Sequence, residues 1–284
     1  MTRQVTTQFI LPSPPLRPYV HHYWIIQTYG RGISPIIMPT GCIKWIFHRK
    51  QSFRVNNEAS FSARVSICGP YEKAVHLDTQ EELEMILVFF YPYTFHLFTG
   101  MPCQLFTNDN VDFDCLESVA FKTLKKRVLE ADSAEESIVH IESFLQQQLT
   151  RTQHLTYLKP LIKVFQQIEQ SQEIRVDALA DTACLSERQF RRVFTEHVGL
   201  SPKQLLRIQR FQAMTKELIQ SKERAFDSLL YKHGYTDHSH FYREFRQFAG
   251  MSPTEFMNYL KQVRTNGYFS AYHSYYIPEV MRKM

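Results

Sequence analysis

The stretch VDALADTACLSERQFRRVFTEHVGLSP, residues 176–202, returns as FDSLLYKHGYTDHSHFYREFRQFAGMSP, residues 226–253. Val176-Asp177-Ala178-Leu179 and Phe226-Asp227-Ser228-Leu229 stand at an offset of 50. Phe190, Phe194, Gly199 and Ser201-Pro202 come back as Phe241, Phe245, Gly250 and Ser252-Pro253 at an offset of 51. Self-similarity of this kind marks two copies of one supersecondary unit, and the change of offset predicts one extra residue in the turn of the second copy.

Each copy reads as helix, tight turn, helix. In the first, Cys184-Leu185-Ser186 makes the turn and the Ser186 hydroxyl caps the next helix. In the second, Gly234 supplies a left-handed turn residue and Thr236 or Asp237 the cap. The second helix of each copy has a narrow apolar stripe, Phe190, Val193 and Phe194 or Phe241 and Phe245, and a polar outer face. That division lets the stripe pack on its neighbours while the outer face enters a major groove. Pro202 opens a connecting helix that runs to about Ser221. Twenty residues of helix span about 30 Å, close to the ~34 Å between successive major-groove faces on one side of a duplex. One chain can then address two adjacent groove segments.

On these residues the region 155–262 resembles the DNA-binding domain of the AraC/XylS family of bacterial transcription regulators. The resemblance is carried by Leu179-Ala180, Leu185-Ser186 and Phe190-Arg191-Arg192-Val193-Phe194, then Gly199-Leu200-Ser201-Pro202. It continues through His233-Gly234-Tyr235-Thr236-Asp237-His238-Ser239-His240-Phe241, Arg243-Glu244-Phe245, Gly250-Met251-Ser252-Pro253 and Phe256. Two departures stand out. Leu230 occupies a place where the family usually has alanine, which predicts a wider helix pair. Met257 stands where an arginine often follows.

The outward residues of the second helices are the candidate base readers: Arg188, Gln189, Arg191 and Arg192 in copy one, His238, Ser239, Tyr242 and Arg243 in copy two. Arginine bonds guanine O6 and N7 bidentately, worth about 1–3 kcal/mol of discrimination. By resemblance, Arg188, Arg191, Arg192, His238 and Arg243 match the positions that face DNA. The alternative for any one arginine is a phosphate grip. Ser186, Lys203, Arg207, Arg210, Thr236 and Arg246 are the candidate phosphate contacts, which add affinity and salt dependence without sequence information.

The charge distribution points the same way. The net charge is +5, yet residues 1–150 hold 13 Lys/Arg against 15 Asp/Glu, and residues 151–284 hold 20 against 13. An asymmetry of this sort suits an anionic partner for the second half only.

The first half reads as β-rich, with strands over Tyr19–Tyr29, Ile36–His48, Ala63–Cys68 and Leu83–Tyr93 punctuated by Gly and Pro. Helical spacing takes over near Leu116 and runs, with a cap at Asp132-Ser133, to Leu149. These helices either pack on their own domain or pair with a second chain. The expected fold class is therefore α+β in two domains: a β-rich sensor or dimerisation domain at 1–150, an all-α domain at 155–262, and a tail at 263–284. Met38-Pro39-Thr40-Gly41-Cys42-Ile43-Lys44-Trp45-Ile46-Phe47, with Tyr23-Trp24, Gly69-Pro70 and Pro92-Tyr93, resembles the companion domains of a poorly characterised subgroup of the same family. The resemblance implies a small cupin-like barrel that binds an effector, followed by dimerising helices. Trp24, Trp45, Phe47, Phe89 and Tyr91 are the candidate lining of such a pocket; filling a plain core is the competing reading.

Other classes of function find little support. The apolar run Met85–Tyr93 is too short to span a bilayer, no apolar h-region follows Met1, and five cysteines without paired spacing suit a reducing cytoplasm. No Walker loop, G-x-G-x-x-G, G-x-S-x-G or H-E-x-x-H occurs. A fused DNA-repair methyltransferase needs a Pro-Cys-His setting, and Pro102-Cys103 is followed by Gln104. His233, His238 and His240 have no cysteine or carboxylate to complete a metal site, and His21, His22 and His48 could look like ligands, against the commoner reading of strand histidines as exposed or hydrogen-bonded. The expectation is thus a non-enzymatic regulator without metal or cofactor. Its partners are double-stranded DNA and RNA polymerase, with a small effector and a second copy of the chain in prospect, and activation is the implied sign. The reading from another class is an interaction protein that keeps the helical fold without binding DNA.

Overall fold

Between Gln4 and Asp112 apolar side chains alternate along strands, and alternation sends them to both faces of one sheet. The computed structural model describes residues 4–29, 34–56, 62–79, 81–152, 156–170, 174–220 and 226–265. Nine strands occur among them: β1 Gln4–Ile10, β2 Val20–Tyr29, β3 Ile36–Ile37, β4 Lys44–His48, β5 Arg54–Val55, β6 Val65–Cys68, β7 Val75–Asp78, β8 Glu84–Phe90 and β9 Asn110–Asp112. Six form an antiparallel sheet in the order β1-β2-β8-β4-β6-β9, and β3-β7-β5 form a second. The two sheets share no ladder among the described residues, so the barrel stays open.

The first face of the large sheet presents Tyr23, Ile25, Trp45, Phe47, Ile86, Val88 and Phe90. Helices α1 Phe95–Thr99, α2 Val119–Glu130 and α3 Ala134–Arg151 follow the strands, and α2 and α3 cover that face with Phe121, Leu124, Val128, Ile138, Ile141, Phe144 and Leu145. Ser133 caps α3 by accepting from the Glu136 N–H at 3.1 Å. Arg49, from the end of β4, donates to Ala131 O at 2.9 Å and Ser133 O at 2.9 Å and pins the α2–α3 turn to the sheet. The apolar stripes of α2 and α3 therefore face their own domain. The opposite face of the sheet carries Trp24, Ile26, Met85, Leu87 and Phe89, joined by Phe53 and Leu83 and partly by Leu77 of the small sheet.

The helical half consists of α4 Leu158–Gln170, α5 Val176–Thr182, α6 Glu187–Val198, α7 Pro202–Gln220, α8 Phe226–Lys232, α9 His238–Ala249 and α10 Pro253–Thr265. Its core runs from Leu161 and Phe165 of α4 through Phe190 and Phe194 to Phe241, Phe245 and Phe256. Ile36 and Met38 of the β-rich half belong to the same cluster. The two halves therefore share apolar surface. No helix among the described residues is long and apolar enough to cross a membrane. Of the tail expected at 263–284, residues 263–265 continue α10, and 266–284 lie outside the described residues.

Candidate DNA interface

The two copies can be superposed residue by residue through their hydrogen bonds. In copy one the Leu185 N–H donates to Ala180 O at 3.0 Å; in copy two the Tyr235 N–H donates to Leu230 O at 3.1 Å. Both turns place a residue in the left-handed region, Cys184 at φ 54° and Gly234 at φ 71°. The offset is still 50 here. It becomes 51 at the caps, where Ser186 accepts from Gln189 N–H at 3.4 Å and Asp237 from His240 N–H at 2.7 Å. The extra residue of the second copy is thus Thr236. Its hydroxyl donates to Asp237 Oδ2 at 3.2 Å, and the backbone amide of His240 holds the Asp237 carboxyl below the usual carboxylate range. Leu230 is buried, so the larger side chain at this place is taken into the core.

The second helix of each copy ends in a left-handed glycine, Gly199 at φ 86° and Gly250 at φ 72°. Each following helix opens with a capping box that the repeat already contained. Ser201 N–H donates to Gln204 Oε1 at 3.0 Å and Gln204 N–H to Ser201 Oγ at 3.3 Å; Ser252 and Glu255 do the same at 2.6 and 3.3 Å. Ser-Pro-x-Gln/Glu after the glycine was the signal for it.

On α6, Phe190, Val193 and Phe194 are buried, whereas Arg188, Arg191 and Arg192 are exposed and Gln189 half-buried. Arg191 is tied to Glu187 one turn back, its Nε 3.1 Å from Oε1. On α9, Phe241 and Phe245 are buried, whereas His238, Ser239, Tyr242 and Arg243 are exposed. The Arg243 Nε donates to Ser239 O at 3.2 Å.

Of the expected phosphate contacts, Ser186, Lys203, Thr236 and Arg246 are exposed or at a cap. Arg207 and Arg210 differ. Both reach from α7 to Glu244 on α9, which is only 3% exposed. Arg207 Nε lies 2.9 Å from Oε2, and Arg210 Nη2 lies 2.9 Å from Oε1 and 3.0 Å from Oε2. Their guanidinium carbons also sit over Phe248 at 5.3 Å and Tyr235 at 4.8 Å. These two arginines clamp α9 onto α7, a role the sequence pattern did not suggest because Glu244 lies more than thirty residues further along the chain. His233 is buried, with Nε2 3.0 Å from Glu217 Oε2.

Between the copies lies a cleft of about 1280 Å³ lined by seven Lys/Arg and three Asp/Glu. It is bounded by Arg175 and Asp177 of the first copy, Lys203 and Arg207 of α7, and His240 and Arg243 of the second.

The five aromatics expected to line one effector pocket do not meet in one cavity. Trp45 and Phe47 point to the helix-covered face, where Trp45 packs against Phe90 at 5.0 Å, Phe113 at 5.4 Å, Phe121 at 5.8 Å and Phe144 at 5.9 Å. Trp24 and Phe89 point to the opposite face. Tyr91 is half-buried beyond the strand end, stacked on Tyr93 at 5.8 Å. The correction follows from strand parity: residues an odd number apart in paired register fall on opposite faces. Near the strand start, His21 and His22 share a hydrogen bond between their Nδ1 atoms at 2.7 Å, and burial pushes the two rings down to about 4 and about 2. Buried Cys103 has its thiol pushed up by burial, the reverse of a reactive thiolate.

Comparison with known proteins accords with this geometry. Residues 179–259 match the family described as a helix-turn-helix domain, and residues 8–112 match one described as a domain of unknown function, DUF6597. An uncharacterized HTH-type transcriptional regulator of Haemophilus influenzae is 29% identical over 96 residues, 34% of this chain. That match spans only 31% of the relative's length. Among solved structures, ToxT from Vibrio cholerae is similar over 90% of this chain and 98% of its own, at 12% identity and a TM-score of 0.44. A structure of ToxT bound to an unsaturated fatty acid is similar over 90% and 95%, at 10% identity and a TM-score of 0.42. With both copies, their turns and their glycine caps in place, residues 179–259 form a helix-turn-helix pair similar to the AraC-type domain.

Proposed function

We propose that the protein is a sequence-specific DNA-binding transcription regulator that reads two neighbouring major-groove segments with α6 and α9. The observation that carries this reading is the shared division of the two helices. Each buries an aromatic stripe and leaves a row of hydrogen-bonding side chains exposed, Arg188, Arg191 and Arg192 on one, His238, Ser239, Tyr242 and Arg243 on the other. The cationic cleft between them suits the phosphate backbone that separates two groove segments. The length of α7, 19 residues or about 28 Å, supports a spacing of the copies near one turn of duplex.

Copy one, richer in arginine, supports the larger share of base discrimination. Lys203, Ser186, Thr236 and Arg246 support the phosphate grip. Activation through RNA polymerase, a small effector at the β-rich half and pairing of two chains rest on the family resemblance alone.

Selection of bound sequences from a random duplex library by the full-length protein tests the reading. The expected result is a site of two parts separated by about one helical turn. Absence of any enriched sequence would favour the interaction-protein alternative, although the exposed arginines speak against it.

A further inference from the structure

The two recognition helices end alike, yet their ends have different surroundings. A Cβ at Gly250 would meet nothing within 4 Å. A Cβ at Gly199 would lie 3.0 Å from Cys103 O, 3.0 Å from a Pro70 ring carbon and 3.2 Å from Thr107 Oγ1. The β-rich half is thus seated directly on the C-terminal end of α6.

The seat includes a hydrogen bond. Thr107 Oγ1 donates to Gly199 O at 2.6 Å. The end of α9 receives its own donor from the same half: the Ala74 N–H donates to Phe248 O at 2.7 Å. Carbonyls in the last turn of a helix have no partner within the helix, so both donors satisfy groups that the helices leave open.

The two donors belong to one fixed piece. Asn108 Nδ2 donates to Glu72 Oε2 at 2.8 Å, and the Glu72 N–H returns to Asn108 Oδ1 at 2.8 Å. The Asn108 N–H donates to Pro70 O at 3.1 Å, with Asn108 itself at φ 61°. Glu72 also accepts from Gln204, the capping-box residue at the start of α7. Residues 70–74 and 107–109 therefore touch the end of one recognition helix, the start of the connecting helix and the end of the other recognition helix.

We propose that this pair of loops sets the spacing between the two recognition helices, with Thr107 and Asn108 as positioning residues for DNA readout. The proposal rests on the reading of α6 and α9 as the groove-entering helices. It adds that the β-rich half is a working part of the reader. A change in that half is felt at both helices through a hydroxyl and a backbone amide.

The test uses the full chain with Thr107→Val, which keeps the shape and removes the hydroxyl, Thr107→Ser, which restores it, and Asn108→Ala. Spin labels introduced by non-cysteine chemistry at Asp181 and Tyr231, exposed and equivalent positions of α5 and α8, report the distance between the copies without DNA. A narrow distribution is expected for the unaltered chain and Thr107→Ser, and a broader or shifted one for Thr107→Val and Asn108→Ala. Duplexes in which the two parts of the selected site are moved apart or together by one or two base pairs report the consequence. Thr107→Val should lose about five-fold at the preferred spacing, the worth of one hydrogen bond, and tolerate the wrong spacings better, with base preference inside each part unchanged. Identical distance distributions in all four proteins would overturn the brace. A broadened distribution with an unchanged spacing profile would overturn its role in readout. If the unaltered chain selects no two-part site, the DNA reading fails separately, and the label distances still decide the brace.

Discussion

Replacing Glu244 by glutamine separates the clamp from the DNA contact. Glu244 is almost wholly buried and takes charge-assisted hydrogen bonds from Arg207 and Arg210, whose side chains are 31% and 26% exposed. Removing one member of a buried ion pair costs about 3–5 kcal/mol. Here the arginines are partly screened by water, and glutamine retains an acceptor, which brings the expected cost to about 1–3 kcal/mol. For a body of this size that is a fall of roughly 3–9 °C in melting temperature. The same change releases two guanidinium groups that line the cleft between the copies. Each new phosphate contact steepens log K against log salt by about 0.9. Non-specific binding of Glu244→Gln to a fixed duplex, followed by fluorescence anisotropy across a salt series, should therefore gain about 1–2 in slope while the thermal melt shifts down. An unchanged slope would show that the arginines do not reach phosphate once released. An unchanged or raised melting temperature would refute the clamp.

Further outcomes follow from the geometry. Arg191→Ala should weaken specific binding far more than non-specific binding, and Lys203→Ala should weaken both alike; affinities for a selected and a scrambled duplex at one salt concentration distinguish them. Gly234→Ala should destabilise the second copy by about 1 kcal/mol, whereas Cys184→Gly, at the equivalent left-handed position, should be neutral or slightly stabilising in a denaturant melt. Trp45→Ala should cost about 3–5 kcal/mol, because the ring is fully buried among aromatics; near-neutral stability would return it to the pocket reading. The Asp237 carboxyl is held low in the folded state, so its cap contribution is present above the unfolded value near 3.8 and is lost as pH falls through the lower folded value. Asp237→Asn should flatten the pH dependence of unfolding in that acid range, as read by melts from about pH 5 to about pH 2.

The double helix-turn-helix was legible in the sequence because everything that builds it is local. Left-handed turns, hydroxyl and carboxylate caps, the glycine stop and the proline start each involve residues within a few positions of one another, and the two copies repeat them. The offset change even announced the extra residue, although only the hydrogen bonds identified it as Thr236. Strands dense in aromatic or β-branched residues, β2, β4, β6 and β8, were equally legible. β1 was not: Val5-Thr6-Thr7-Gln8 alternates too weakly, and the strand exists because β2 offers it a full ladder. The α1 helix was not legible either, since Phe95–Thr99 is too short to show a helical period.

Tertiary structure alone decided three things. It sorted the aromatics to opposite faces of the sheet, since parity across a ladder depends on register between strands that are far apart in sequence. It turned Arg207 and Arg210 toward Glu244, a pairing across more than thirty residues that no local spacing encodes. It also placed Thr107 and Ala74 against the ends of α6 and α9. The outward faces of α6 and α9 follow from helical periodicity and were determined by the sequence. The hydrogen bonds that Thr107 and Ala74 give to their C-terminal ends form only when the two halves of the chain meet.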